Sequence, residues 1–301
     1  MRTKTYIIII IINLLLPFVS TSCTNEEEQF APDVYVTFKP ANAIHTRTDG
    51  YTTPFSVWVH SLPEGEKWQN TLTHPATLLE NTTITYDNAT WQPAPRLYWP
   101  KDRALTIHAI TPPSDKNNFS TDKGVTIEGF DVRNGIYPSI TGTIADCNRR
   151  NNSGCIPLLF KSTLSKIEIE ARSIAPSDTI IRLKSLSIDN IACKGDFQSL
   201  PAPEWKCSPD TYNLQFLTSP TTLTTKTTTI GNRIALPQHI PSPITLTIDI
   251  CDKDGNTLVA GRTITTDPIN DIWSIGKYHI YSISVDTDTA MFSTDIINRL
   301  R

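Results

Sequence analysis

The chain is 301 residues long, more than one hydrophobic core usually serves, so two cores are expected. A formal net charge of -3, with Lys and Arg dispersed along the chain, excludes the basic footprint of a nucleic-acid-binding protein. Only 19% of residues are charged, 22 are proline, and Thr and Ile are abundant, which suits short strands and tight turns better than helices.

The first stretch has the layout of a secretory signal peptide, expected over residues 1–22. Arg2 and Lys4 give a basic start, and Ile7 to Ile12, Leu14 to Leu16, Phe18 and Val19 give an apolar run. That run is shorter than the ~20 residues a membrane-spanning helix needs. Ser20-Thr21-Ser22 then leads into Cys23 and, after Thr24-Asn25, into Glu26-Glu27-Glu28. Small residues before a cysteine resemble a bacterial lipoprotein cleavage site, although Ser20 stands where such sites usually carry Leu. Cleavage there would leave Cys23 as an acylated first residue, and two or three acyl chains anchor a protein stably to an outer-membrane lipid surface. Residues 23–32 would then be a lipid-anchored linker, and the acidic run resembles a surface-export signal of Bacteroides-group lipoproteins.

From Asp33 to Lys39, Val34, Val36 and Phe38 alternate with Tyr35, Thr37 and Lys39, the pattern of a half-buried strand. A polar segment, Ile44 to Gly50, carries Arg47 and a turn-forming Asp49-Gly50 pair. Phe55 to His60 alternates again. Asn70 to Glu80 has room for a turn or two of helix. Ile84-Thr85-Tyr86, Trp91, Leu97 to Lys101, Ala104 to Ile110 and Val125 to Val132 read as further strands, several of them bounded by proline. The polar loop Asp146 to Gly154 marks a boundary near Cys155.

Beyond it, Ile156 to Phe160, Leu164 to Arg172 and Ile180 to Ile191 continue the strand pattern, with Ile167, Ile169 and Ala171 facing a core. Thr218 to Thr229 is a Thr-rich edge strand or exposed loop. Ile244 to Asp252 runs through the turn Asp252-Lys253-Asp254-Gly255-Asn256 into Thr257 to Ile264, a hairpin. Tyr278 to Val285 is the last clear strand. The expected fold is all-β: two Greek-key, transthyretin-like sandwiches in series, over 33–155 and 156–285, with a tail over 286–301. Extended at ~3.3 Å per residue, that tail would reach about 50 Å, enough to cross a neighbouring domain as a donor strand.

Of six cysteines, lipidation of Cys23 leaves an odd number. Cys147 with Cys155 and Cys193 with Cys207 are candidate disulfides in an exported protein, their connectivity open. The spacing of neither pair matches a zinc motif. His45, His60, His74, His108, His239 and His279 form no metal-binding pair, and neither a nucleophile elbow nor a phosphate loop is present, so no enzyme, metal or cofactor is implied. Trp58, Trp68 and Trp205 are candidates to stack on sugar rings, as in a surface glycan-binding lipoprotein.

Taken in order, several segments resemble the fimbrillin-like family, subunits of the type V pili of Bacteroides and Porphyromonas relatives. Carrying the resemblance are the leader with Cys23, Thr46-Arg47-Thr48, Trp91 with Tyr98-Trp99-Pro100, and Leu158-Leu159-Phe160 with Leu164-Ser165-Lys166-Ile167. Trp273, Gly276, Tyr278 and Tyr281 complete it. The resemblance implies a surface lipoprotein precursor cut by a trypsin-like protease, here after Arg47, with loss of the first strand. A neighbouring subunit's strand would fill the groove left behind, by strand addition to an open sheet edge. Its implied partners are other fimbrial subunits and, for adhesion, host or bacterial surface ligands.

Overall fold

A computed structural model describes residues 35–42, 53–63, 65–68, 75–87, 89–152, 154–240 and 242–297. The chain divides between Val34 and Tyr35, and all described residues belong to the unit that starts at Tyr35. Cys23 and Arg47 lie outside the described residues.

Strands dominate. The first half contains β1 (Thr37–Asn42), β2 (Phe55–Pro63), β3 (Ala76–Asp87), β4 (Thr90–Gln92), β5 (Arg103–Thr111), β6 (Asn117–Ser120), β7 (Gly124–Asp131), β8 (Ser139–Ile140), β9 (Ile144–Cys147) and β10 (Cys155–Ser162). The second contains β11 (Ser165–Ser173), β12 (Thr179–Ala192), β13 (Lys194–Gln198), β14 (Glu204–Cys207), β15 (Thr211–Gln215), β16 (Thr221–Leu223) and β17 (Thr228–Ala235). It continues through β18 (His239–Ile240), β19 (Pro243–Asp252), β20 (Thr257–Pro268), β21 (Asp271–Ile272), β22 (Tyr278–Val285) and β23 (Ala290–Ile297). The described part of Asn70 to Glu80 is the start of β3, so no helix forms there.

The first half closes on itself. Its strands run β2-β3-β4-β1-β10-β8-β5, and β5 pairs back to β2, with β9 beside β8 on the edge of β5. Alternation explains the interior: Phe55, Val57 and Val59 of β2, Leu105, Ile107 and Ala109 of β5, and Ile156, Leu158 and Phe160 of β10 are buried with Val36, Phe38, Ile84 and Trp91. Residues 156–162, which the polar loop Asp146 to Gly154 would place in the second half, belong to β10 and are hydrogen-bonded into this ring through β1 and β8.

Two sheets face each other in the second half, β17-β11-β22-β23 and β15-β12-β19-β20, with β16 also on β12. Ile167, Ile169 and Ala171 meet Leu183, Leu186, Ile188, Leu246 and Ile248 between them. A third sheet, β14-β13-β7-β6, joins the halves, because β7 pairs with β13. It buries the second face of β2 and β5, which alternation alone would leave wet. Trp58 and Ile110 thus share a cluster with Val125, Ile127, Phe197, Trp205 and Leu236.

Candidate functional site

The strand β1 is where sequence and topology converge. It pairs in parallel with β10, from Thr37 opposite Cys155 to Asn42 opposite Phe160. On its other side it meets β4 at Phe38 opposite Trp91, and Tyr35 bridges Tyr98. Val36 N–H donates to Leu97 O at 2.7 Å on the β4 side, and Thr37 N–H donates to Gly154 O at 3.0 Å on the β10 side. Strand alternation then turns the backbone nitrogen of Pro40 to the β4 side, where it has no N–H to give. Pairing with β4 accordingly stops at Phe38, and β10 holds the strand along its length.

Side chains add to the hold. Val36 and Phe38 are buried, each worth ~1.5–3 kcal/mol of transfer free energy. Phe38 packs edge-on to Phe55, whose ring also meets Trp91 and Phe160 at centroid distances of 5.3 and 5.5 Å. On the outer face the Arg96 guanidinium lies 4.3 Å from the centre of the Tyr35 ring.

The described part of the tail, β23, forms a hairpin with β22, from Val285 opposite Ala290 to Tyr278 opposite Ile297. It is the outermost strand of its sheet. Ala290 and Phe292 face the core, whereas Met291 is 63% exposed. Arg262 on β20 grips Asp288 in the connecting turn at 2.5 Å.

Trp273, Gly276, Tyr278 and Tyr281 prove to be architectural. Trp273 Nε1–H donates to the Tyr281 hydroxyl at 2.9 Å, and that hydroxyl donates to Asp271 Oδ2 at 2.8 Å. Ser274 N–H donates to His279 Nε2, which leaves the proton on Nδ1 to face Asp271 at 3.3 Å. Burial, with the Asp271 carboxylate adding to it, pushes the Tyr281 hydroxyl far above its ordinary value. Gly276 takes the left-handed conformation, φ 67°, and its N–H donates to Leu164 O. The Tyr278 hydroxyl donates to the Glu168 carboxylate on β11. Asp271 carried no signal in the sequence, since its role depends on two residues that only folding brings to it.

The five described cysteines carry free thiols. Cys147 and Cys155 sit on β9 and β10, which are not neighbours in the sheet. Gly195 stands opposite Cys207, which puts Cys193 two residues past that pair. Cys193 donates instead to Asp210 O, and Cys207 to Pro237 O. Burial pushes the Cys147 thiol up to about 11. Trp58 and Trp205 are buried and present no ring to a sugar. No helix among the described residues is long and apolar enough to cross a membrane.

Fold and site together define an all-β chain whose first half is a closed ring of strands and whose second half is a pair of facing sheets, the two joined by a shared sheet. Residues 52–298 match the family model described as fimbrillin-like, and the chain belongs to that family. The match begins C-terminal to Cys23 and Arg47. Among solved structures the fold is similar to a fimbrial protein from Bacteroides vulgatus, with TM-score 0.68, 16% identity and coverage of 87% of this chain and 98% of that one. It is also similar to a candidate cell adhesion protein from Bacteroides uniformis, with TM-score 0.57, 12% identity and coverage of 89% and 99%. No curated protein matches the sequence.

Proposed function

We propose that the chain is a structural subunit, anchor or tip component of cell-surface fimbriae, exported as a lipoprotein through Cys23 and serving adhesion. A trypsin-like protease cuts after Arg47, β1 leaves with the lipid, and an extended strand of a neighbouring subunit takes its place. The tail that contains β23 is the candidate donor. Other fimbrial subunits are its partners, and its ligands are on host or bacterial surfaces. The reading assigns the protein no catalytic role.

The observation that carries this reading is the place of β1 in the first-half ring. It is the strand between β4 and β10, it precedes the Arg47 segment, and the ring's other strands are continuous from β2 onward. Its loss would leave two facing sheet edges about two strand spacings apart, roughly 9.6 Å, with vacated positions where Val36 and Phe38 had packed. Such a slot fits an incoming strand with apolar residues at alternate positions.

Limited trypsin treatment of the purified precursor tests the reading, followed by N-terminal sequencing and electron microscopy. A new N-terminus at Thr48 together with polymers that survive SDS is the expected result. Processed protein that stays monomeric would reject strand exchange, and a polymer that keeps its N-terminus would reject cleavage.

A further inference from the structure

The sheet that joins the halves rests on a pair of histidines that none of the roles above uses. In the β2–β5 pairing Trp58 stands opposite His108 and His60 opposite Thr106, so both histidines project from the same outer face on neighbouring strands. Their ring centres are 6.3 Å apart. Phe119 of β6 covers them at 4.4 Å from His108 and 4.9 Å from His60, and Trp68 lies 5.3 and 5.4 Å from the two rings. β6 is paired to β7, and β7 to β13 of the second half.

Polar groups in this nest are unpaired. His60 Nδ1, His108 Nε2 and Trp68 Nε1 are buried without a hydrogen-bond partner among the described residues. His60 is 5% and His108 2% exposed. Glu80 on β3 raises the proton affinity of His60, but burial outweighs it. Burial pushes His108 down to about 3, and His60 adds to that shift. β6 carries no titratable residue, and Glu66 and Lys67 beside Trp68 are exposed. His279 in the second half has what the pair lacks among the described residues, a carboxylate facing its ring nitrogen.

We propose that the joint between the halves is acid-sensitive, because His60 and His108 must both stay neutral for the β6–β7 hairpin to remain seated on β2 and β5. When the hairpin lifts, water reaches the rings and each regains an ordinary affinity for protons, near 6.5. Acid therefore favours the lifted form. Two cations this close, with no carboxylate hydrogen-bonded to either ring among the described residues, repel each other and lose their hydration on reseating. The hairpin is the first element to yield, since it covers the pair and carries β13 with it. Acid would thereby loosen the link between the halves before it unfolds either one.

Hydrogen–deuterium exchange of the full chain at pH 7.5 and 5.0, normalised for intrinsic exchange rates, tests this. At pH 5 the lifted form gains about 30-fold from His108 alone. Peptides over residues 117–131 and 194–207 should lose protection by at least about that factor, while those over β19 and β22 change little. His108→Leu should remove most of the loss. Equal protection at both pH values, or an undiminished loss in His108→Leu, overturns the proposal. Should that variant not fold, ring titration of the unaltered protein by carbon-13 NMR decides. A His108 ring neutral at pH 5 in the seated form supports the joint, and one that protonates near 6.5 with the hairpin still protected overturns it.

Discussion

Both halves contain a parallel strand pair, β1 with β10 and β11 with β22, and the two pairs differ in what the chain does around them. β11 lies between β10 and β12 in the chain, and β22 is led into from β21 and turns directly into β23. β1 is followed by the segment that carries Arg47, and one cut there would detach it from the rest of the ring. The pairing geometry is shared, but only in the first half does the candidate cleavage segment separate one strand of the pair from the rest of its sheet. Release of β1 by the proposed cleavage would thus turn on connectivity and not on weaker packing, since Val36 and Phe38 are buried like Ile167 and Ile169.

Truncating the side chains of each pair should separate the two cases. Phe38→Ala should lower the stability of the intact precursor by about 3–5 kcal/mol in chemical denaturation, and leave the trypsin-processed polymer unaffected because β1 has gone. Ile169→Ala on β11 should lose about 2–5 kcal/mol in both forms. Equal effects of Phe38→Ala before and after processing would show that β1 stays in its slot. Tyr281→Phe, which strands the Trp273 N–H and Asp271, should lose about 1–3 kcal/mol in thermal unfolding and spare the first half.

Acid should also distinguish the halves. The folded-state pKa of His108 is depressed, so the unfolded chain binds its proton first and stability falls as pH drops below about 6.5. Between pH 7.5 and 5 that amounts to about 2 kcal/mol, read from denaturant midpoints. Burial depresses His279 too, but Asp271 counters it, so the second half should have the shallower slope. The smallest effect belongs to Arg262→Ala, an exposed pair with Asp288 worth less than about 1 kcal/mol in the same denaturation.

Strands with clean alternation were legible in the sequence. Tyr278–Val285 is present with the bounds the pattern predicts, and the Asp252 turn forms a hairpin in which Asp252 accepts from the N–H groups of Asp254 and Asn256. Pairing partners were not legible. The alternation of Ile156, Leu158 and Phe160 says which face is buried but not that the strand lies beside β1. Likewise nothing local to residues 124–131 announces a partner at 194–198, so the shared sheet and the second burial of β2 and β5 came only from the fold. His60 and His108 read as ordinary positions on a half-wet strand for the same reason. Ala76–Leu79 carries good helix formers, yet pairing with β2 makes it a strand.

In the proposed assembly β1 is a temporary occupant of its slot. Tandem mass spectrometry of fimbriae sheared from the cell surface tests it most directly. Peptides that begin at Thr48, and none that contain residues 23–47, are expected. Assembled material with the Arg47–Thr48 bond intact would contradict it.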